Sequence, residues 1–182
     1  YWLLGSVIAR VSQKSYAQYL SEHLFEPLNL DASEIGFTIH DENNHANGYL
    51  KRWSFMGLFG RLFVDAKMLG KNESGWRHVK NVYLNGPSFG GAIGSARAFA
   101  TILQDLLSTN SILLGPAAKQ LLYQQQITNA GTDIDMTLGW HIADIEGITY
   151  YYKEGGGAGF HSEMRIYPQH GFASVITSNR TS

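Results

Sequence analysis

Lys153-Glu154-Gly155-Gly156-Gly157-Ala158-Gly159-Phe160-His161-Ser162-Glu163-Met164-Arg165-Ile166 is the stretch of sequence that decides the fold of this chain. The residues before it, Ile148-Thr149-Tyr150-Tyr151-Tyr152, are β-branched and aromatic, which is typical of a strand. After the glycines, apolar and polar residues alternate from Phe160 to Ile166, so that every second side chain falls on the same face of a second strand. A third strand follows at Phe172–Thr177, and the pattern therefore predicts an antiparallel meander.

The glycines suggest a function for this meander as well as a shape. Four of them occur within five positions, at 155, 156, 157 and 159, and glycine allows another backbone or a ligand to approach closely. Lys153 opens the run and places a cation beside bare backbone N–H groups, an arrangement that suits a carboxylate or a developing oxyanion. The alternative is a glycine-rich hairpin loop that follows a solvated lysine, and this stretch alone leaves both interpretations open.

The remainder of the chain predicts helices first. Leu3, Leu4, Val7, Ile8 and Val11 repeat at helical spacing, which predicts a helix with a buried face over about Tyr1 to Val11. Ser15 and Gln18 form a capping box that predicts a second helix, Ser95 is a good N-cap for a third, and Pro116 suits the first position of a fourth. The pattern therefore predicts an α+β fold with a mainly helical region over residues 1–126 and a sheet region over residues 127–182.

Composition excludes several classes of function. The 182 residues carry a net charge of −1, so there is no excess of positive charge to neutralise phosphates, which argues against nucleic acid as the main partner. There is no cysteine, which excludes disulfides and cysteine-rich metal sites. His40 and His45 lack a third likely ligand near them, and we predict no metal site and no cofactor. No apolar run reaches the ~18 residues of a membrane span.

Residues 49–82 carry an apolar cluster, Trp53–Val64, flanked by lysines and arginines. Such a cluster can pack on the body of the domain as additional core. It can also form the rim of a substrate site, or contact a membrane surface. All three interpretations stay open at this point.

Four blocks of the chain resemble the C-terminal part of the serine β-lactamase-like hydrolases. That superfamily includes class C β-lactamases, penicillin-binding D-alanyl-D-alanine carboxypeptidases, and related esterases and amidases. The resemblance is carried, in this order, by Tyr1–Ser12 with Ser15-Tyr16 and Leu24–Leu28, then Gly90–Arg97, then Leu138-Gly139-Trp140, and finally Lys153-Glu154-Gly155. The last block matches the place of the family's lysine-threonine-glycine or histidine-x-glycine signature.

The resemblance implies a β-lactamase-like α+β fold and an acyl-enzyme reaction without a cofactor. The family's nucleophile is the serine of a Ser-x-x-Lys motif, and this motif does not occur in the 182 residues. Tyr83-Leu84-Asn85 spells the family's Tyr-x-Asn motif, but its place ahead of Gly90 is wrong. We therefore expect a fragment that lacks both the upstream Ser-x-x-Lys part of the same protein and the closing C-terminal helix. The family also suggests a periplasmic or cell-envelope location.

The resemblance also implies roles for the glycine run. Lys153 would attract a substrate carboxylate or tune proton transfer, and the N–H of Gly156 would be one oxyanion-hole donor. Gly155 and Gly157 would let a substrate backbone lie along the strand edge. Glu154 departs from the family's small polar residue, would repel a substrate carboxylate and could form an ion pair with Lys153. This favours an ester or peptide-like substrate over a β-lactam.

Two other classes of function remain open. One is a catalytically silent protein of the same fold that binds cell-wall peptides, and the other is a membrane-associated partner that acts through Trp53–Val64. His161 is interpreted as a surface strand residue.

Overall fold

The computed structural model describes residues 1–54, 65–83 and 85–181. Its C-terminal part is a four-stranded antiparallel sheet with strand order β6-β7-β8-β9. These strands are β6 (His141–Ile145), β7 (Ile148–Gly157), β8 (Phe160–Tyr167) and β9 (Phe172–Ser178). The predicted antiparallel meander is confirmed, and the fold is α+β.

The alternation of the sequence decides which face of this sheet is buried. Ile166 on β8 is fully buried and lies directly across from Tyr151 on β7, so both belong to the inner face. The ring of Tyr151 meets the ring of Tyr123, with 4.7 Å between the centroids. Tyr123 is the last residue of the helix Pro116–Tyr123, so this helix lies on the inner face of the sheet.

Four α-helices belong to the described residues: α1 (Trp2–Ser12), α2 (Tyr16–Leu20), α3 (Ala96–Leu107) and α4 (Pro116–Tyr123). Ser95 caps α3, since its hydroxyl accepts a hydrogen bond from the N–H of Ala98 at 3.1 Å. Pro116 occupies the first turn of α4, where its missing N–H costs nothing. Both predicted helix starts are confirmed.

The prediction of a buried apolar face on α1 is wrong. Leu3, Val7 and Val11 are 78%, 57% and 79% exposed. The buried residue of α1 is Gly5, where an added Cβ would overlap the side chain of Ser88 in the turn Pro87–Phe89. The helix therefore packs through its small residue, because that is where the neighbouring turn comes closest.

The first 126 residues also contain strands, which the prediction of helices as far as Gln126 missed. A second sheet has the order β10-β2-β4-β3, with β2 (Gly48–Lys51), β3 (Leu69–Glu73), β4 (Trp76–Val79) and β10 (Arg180–Thr181). A short antiparallel pair joins β1 (Ile35–Gly36) to β5 (Ile93–Gly94). The strands are too short and too polar for their alternation to have been distinguishable from a loop.

The core near the helices is built around four buried residues, Phe25, Leu30, Ile35 and Ala98. Phe37 packs against this cluster, and its ring meets those of Phe25 and Tyr16 at 6.2 and 5.8 Å between centroids. Because Ile35 lies on β1 and Ala98 on α3, this cluster holds the start of α3 against the N-terminal helices.

The apolar cluster Trp53–Val64 lies mostly outside the described residues, which include only Trp53 and Ser54 of it. Trp53 is 79% exposed and its ring is covered by the Arg52 guanidinium at 5.3 Å, so the core-packing interpretation is wrong for this side chain. Within the described residues, no helix has both the length and the apolar character that crossing a bilayer requires.

Candidate active site

The candidate site lies on β7, between two tight turns that fix its register. Glu146 and Gly147 form the turn between β6 and β7, and Ala158 and Gly159 form the turn between β7 and β8. All four residues have positive φ (53°, 81°, 50° and 84°), as type I′ hairpin turns require.

These turns determine where each backbone N–H of β7 points. The two residues that flank a two-residue turn exchange both of their backbone hydrogen bonds. Ile148 therefore points its backbone groups toward β6, and Gly157 points its groups toward β8. The direction alternates along a strand, and both turns lead to the same assignment: the N–H groups of Glu154 and Gly156 point away from β8.

Among the described strands, none pairs with β7 on the side to which these two groups point. Strand β6 pairs with β7 only from Ile145↔Ile148 to His141↔Tyr152. From Lys153 to Gly157 the strand continues alongside β8 alone, and no other described strand pairs with it there. The backbone at Glu154 and Gly156 thus forms a free strand edge, which is a template for an extended ligand.

Lys153 projects from the inner face of the sheet at the start of this free edge. It is half-buried and lies directly across from Met164 on β8. Its Nζ lies 5.8 Å from the centroid of the Tyr1 ring, which is within range of a cation–π interaction. Tyr1 could not be predicted as a neighbour of the site, since a contact between residues so far apart in the chain leaves no local signal in the sequence.

The ion pair expected between Lys153 and Glu154 does not form. Adjacent residues of a strand point to opposite faces, and Glu154 lies on the outer face, across from Glu163. The salt bridges among the described residues are Lys14–Glu22 and Arg165–Glu163. The exposed Glu154 carboxylate is therefore separated from Lys153 by the sheet itself.

Gly155 lies beside the site but directs its backbone groups toward β8. A Cβ at this position would lie 2.9 Å from the Ser162 hydroxyl oxygen on the inner face. The missing side chain of Gly155 thus leaves room for the Ser162 hydroxyl, whereas the free-edge N–H groups belong to its two neighbours. The sequence suggested that Gly155 contacts a substrate backbone, but it is Glu154 whose N–H lies on the free edge, because the direction of each N–H follows from the turns.

Two tyrosines pack beneath the site on the inner face. Burial, together with the smaller effect of the neighbouring Tyr151, raises the pKa of Tyr123 to about 12. The hydroxyl of Tyr123 is buried and has no hydrogen-bond partner within the described part of the chain. Tyr123 is therefore neutral, and it packs against β7 at Tyr151, which lies two residues before Lys153.

The comparison with known families agrees with this architecture. A model of the family described as Beta-lactamase matches residues 1–182, which is the whole chain. The chain belongs to the Beta-lactamase family. The family's β-lactamase-like fold accounts for the order of the elements, with helices packed on the inner face of an antiparallel sheet.

Solved structures show the same fold for this Beta-lactamase family chain. An octameric penicillin-binding protein homologue from Pyrococcus abyssi matches with a TM-score of 0.72 and 17% identity, over 98% of this chain and 37% of that one. A penicillin-binding protein from Bacillus halodurans matches with a TM-score of 0.68 and 21% identity, over 99% and 50% of the two chains. A D-amino acid amidase from Ochrobactrum anthropi matches with a TM-score of 0.72 and 15% identity, also over 99% and 50%.

The chain thus spans half, or less, of the length of these structures. No curated protein matches the sequence.

Proposed function

We propose that this Beta-lactamase family chain forms one wall of the active site of a serine hydrolase that works through an acyl-enzyme intermediate. The observation that carries the proposal is the free edge of β7, where the N–H of Gly156 points outward three residues after Lys153. An ammonium group and an unpaired N–H beside a strand edge can bind an extended substrate and stabilise an oxyanion.

Each residue of the wall has a distinct role in this proposal. The N–H of Gly156 donates to the carbonyl oxygen as it becomes negative in the transition state. Lys153 supplies a positive charge that lowers the energy of the same state or assists proton transfer. Gly155 and Gly157 leave the substrate backbone room to approach, since neither has a side chain.

The nucleophile comes from residues beyond these 182 in our proposal, because Ser-x-x-Lys does not occur among them. A lysine one helical turn after the serine would take its proton as the serine attacks the carbonyl carbon. The acyl-enzyme forms as the alcohol or amine leaves, and water then releases the acid.

The substrate in our proposal is an ester, an amide or a peptide-like molecule. Glu154 adds an exposed negative charge at the free edge, which disfavours a substrate carboxylate there and hence a β-lactam. One structural relative is a D-amino acid amidase, and this supports amide substrates for the family fold.

The test is an assay of the complete gene product. We expect turnover of a p-nitrophenyl ester or a D-amino acid amide, and an acyl adduct, detected by mass spectrometry, on a serine outside residues 1–182. The 182-residue chain by itself should show neither. A complete product that has no Ser-x-x-Lys and no turnover would instead be a silent binding protein, and an acyl adduct on a serine within 1–182 would overturn the assignment of the nucleophile.

A further inference from the structure

Three side chains of metal-ligating types meet on the outer face of the β7–β8 hairpin. Glu154, His161 and Glu163 each bring one ligand atom to this place, and the three atoms all lie within 4.8 Å of one another. Glu154 and His161 are exposed, and Glu163 is half-buried. The face is opposite to the one that carries Lys153.

The register of the hairpin brings these three residues together. Glu154 lies directly across from Glu163, and Gly156 lies directly across from His161. The four positions form a square across the two strands, in which three corners carry ligands and the fourth carries no side chain. A Cβ at Gly156 would lie 3.9 Å from Nδ1 of His161, so the missing side chain leaves open space beside the ring.

The carboxylates of Glu154 and Glu163 place two negative charges at this square, and a bound cation would neutralise them. Like charges directly opposite each other on paired strands destabilise a sheet. Arg165 pairs with Glu163 through Nε and Oε1, which leaves the second oxygen of Glu163 available. Glu154 makes no ion pair or hydrogen bond through its side chain within the described ranges.

We propose that Glu154, His161 and Glu163 bind a divalent transition-metal ion of the zinc type. Zinc takes imidazole nitrogen and carboxylate oxygen as ligands, and sites with three protein ligands keep a fourth position for water or another small molecule. The open corner at Gly156 provides that position. The imidazole favours zinc, cobalt or nickel over magnesium and calcium, which prefer oxygen alone. The site does not depend on the proposed hydrolase activity.

Titration of the 182-residue chain with Zn²⁺, followed by calorimetry, tests the proposal. We expect one ion per chain, and we expect Co²⁺ to give the visible absorption of an ion bound by nitrogen and oxygen. His161→Asn and Glu154→Gln should each weaken Zn²⁺ binding by about tenfold or more, since even the loss of an indirect partner of a ligand costs about 10–100-fold. His170→Asn is the matched control, because His170 is an exposed histidine outside the cluster.

Arg165→Gln provides a second, independent variant. Arg165 competes with the metal ion for the Glu163 carboxylate, so Arg165→Gln should tighten Zn²⁺ binding. Weaker Zn²⁺ binding by this variant would show that Glu163 is not a ligand. Circular dichroism checks that every variant keeps its fold. The proposal is overturned if no Zn²⁺ binds at about 1 mM, if His161→Asn leaves binding unchanged, or if Ca²⁺ binds as tightly as Zn²⁺.

Discussion

The backbone N–H of Tyr49 donates a hydrogen bond to the carbonyl of Gly159 at 3.4 Å, and this contact joins the two sheets. The same N–H also donates to the carbonyl of Asn179 at 2.9 Å. A Cβ on Gly159 would overlap the Tyr49 nitrogen and lie 2.6 Å from the carbonyl carbon of Gly48. The tip of the β7–β8 hairpin is thus held by a backbone contact that only glycine permits.

Gly159→Ala should therefore lower the free energy of unfolding by about 2 kcal/mol or more. A left-handed conformation costs a non-glycine residue about 1–2 kcal/mol, and the overlap with β2 adds to it. Urea denaturation of the two proteins measures the difference.

Gly147→Ala is the control for this prediction, because Gly147 occupies the same position in the other two-residue turn. Its φ is 81°, against 84° for Gly159, and nothing lies within 4 Å of an added Cβ. We expect Gly147→Ala to lower the free energy of unfolding only by the cost of the left-handed conformation, about 1–2 kcal/mol. Equal losses in the two variants would mean that contact with β2 contributes nothing.

Asp105, which is only 8% exposed, holds the loop that follows α3. One of its carboxylate oxygens accepts from the N–H of Ile112 at 2.7 Å, and the other accepts from the Ser111 hydroxyl at 2.5 Å and the Leu113 N–H at 3.3 Å. Burial raises the pKa of this carboxyl, but the three hydrogen bonds outweigh it, and the pKa is lowered. The folded protein therefore favours the ionised form.

Asp105→Asn should destabilise the protein at neutral pH by about 1–3 kcal/mol. Asparagine keeps one acceptor oxygen, so at least one donor of the loop is left facing an NH₂ group. The same change at Asp135, whose side chain is exposed, should have almost no effect.

The cost of Asp105→Asn should also depend on pH. A depressed folded-state pKa contributes stability above the unfolded value of about 3.9, and the contribution is lost as the pH falls through the folded value. The difference between wild type and variant should be full at about pH 6 and shrink below about pH 4. Urea denaturation at several pH values measures it, and a difference independent of pH would show that ionisation of Asp105 has no part in stability.

Features with a strong local signal were predictable from the sequence. The meander follows from alternation between Phe160 and Ile166, and the start of α3 follows from the hydroxyl of Ser95. Both depend on residues that are close in the chain, where periodicity and capping chemistry act directly.

Features that depend on distant contacts were not predictable. The exposure of Leu3 depends on which face of α1 packs against the turn at Ser88, and the sequence does not specify that face. The placement of Tyr1 beside Lys153 and the square formed by Glu154, His161 and Glu163 depend on strand pairing. A shift of β7 by one residue relative to its partner strands would have moved both Lys153 and Glu154 to the other face of the sheet.

Glu154→Thr in the complete gene product should change the substrate preference of the proposed hydrolase and leave its reaction intact. The exposed carboxylate makes no ion pair within the described ranges, so its removal disturbs no contact of Lys153. We expect kcat on a neutral ester to be unchanged and KM for carboxylate-bearing substrates to fall. The assays should contain a chelator, so that loss of a bound metal does not contribute. An unchanged KM for those substrates would show that Glu154 does not repel them.

Lys153→Ala in the complete gene product is the most specific prediction for the proposed active site. If the ammonium group stabilises negative charge in the transition state, kcat/KM should fall by about 10²-fold, which is roughly 2.7 kcal/mol at ~1.36 kcal/mol per factor of ten. Stability should change by less than about 1 kcal/mol, because the cation–π contact with Tyr1 is a weak interaction at an exposed ring. Lys71→Ala, which removes an exposed lysine on β3, controls for the loss of a positive charge alone.

The competing interpretation treats Lys153 as the solvated end of a strand, and it predicts that kinetics and melting temperature both stay at the wild-type level. A Lys153→Ala enzyme with wild-type kcat/KM on its best substrate would remove this residue from the active site.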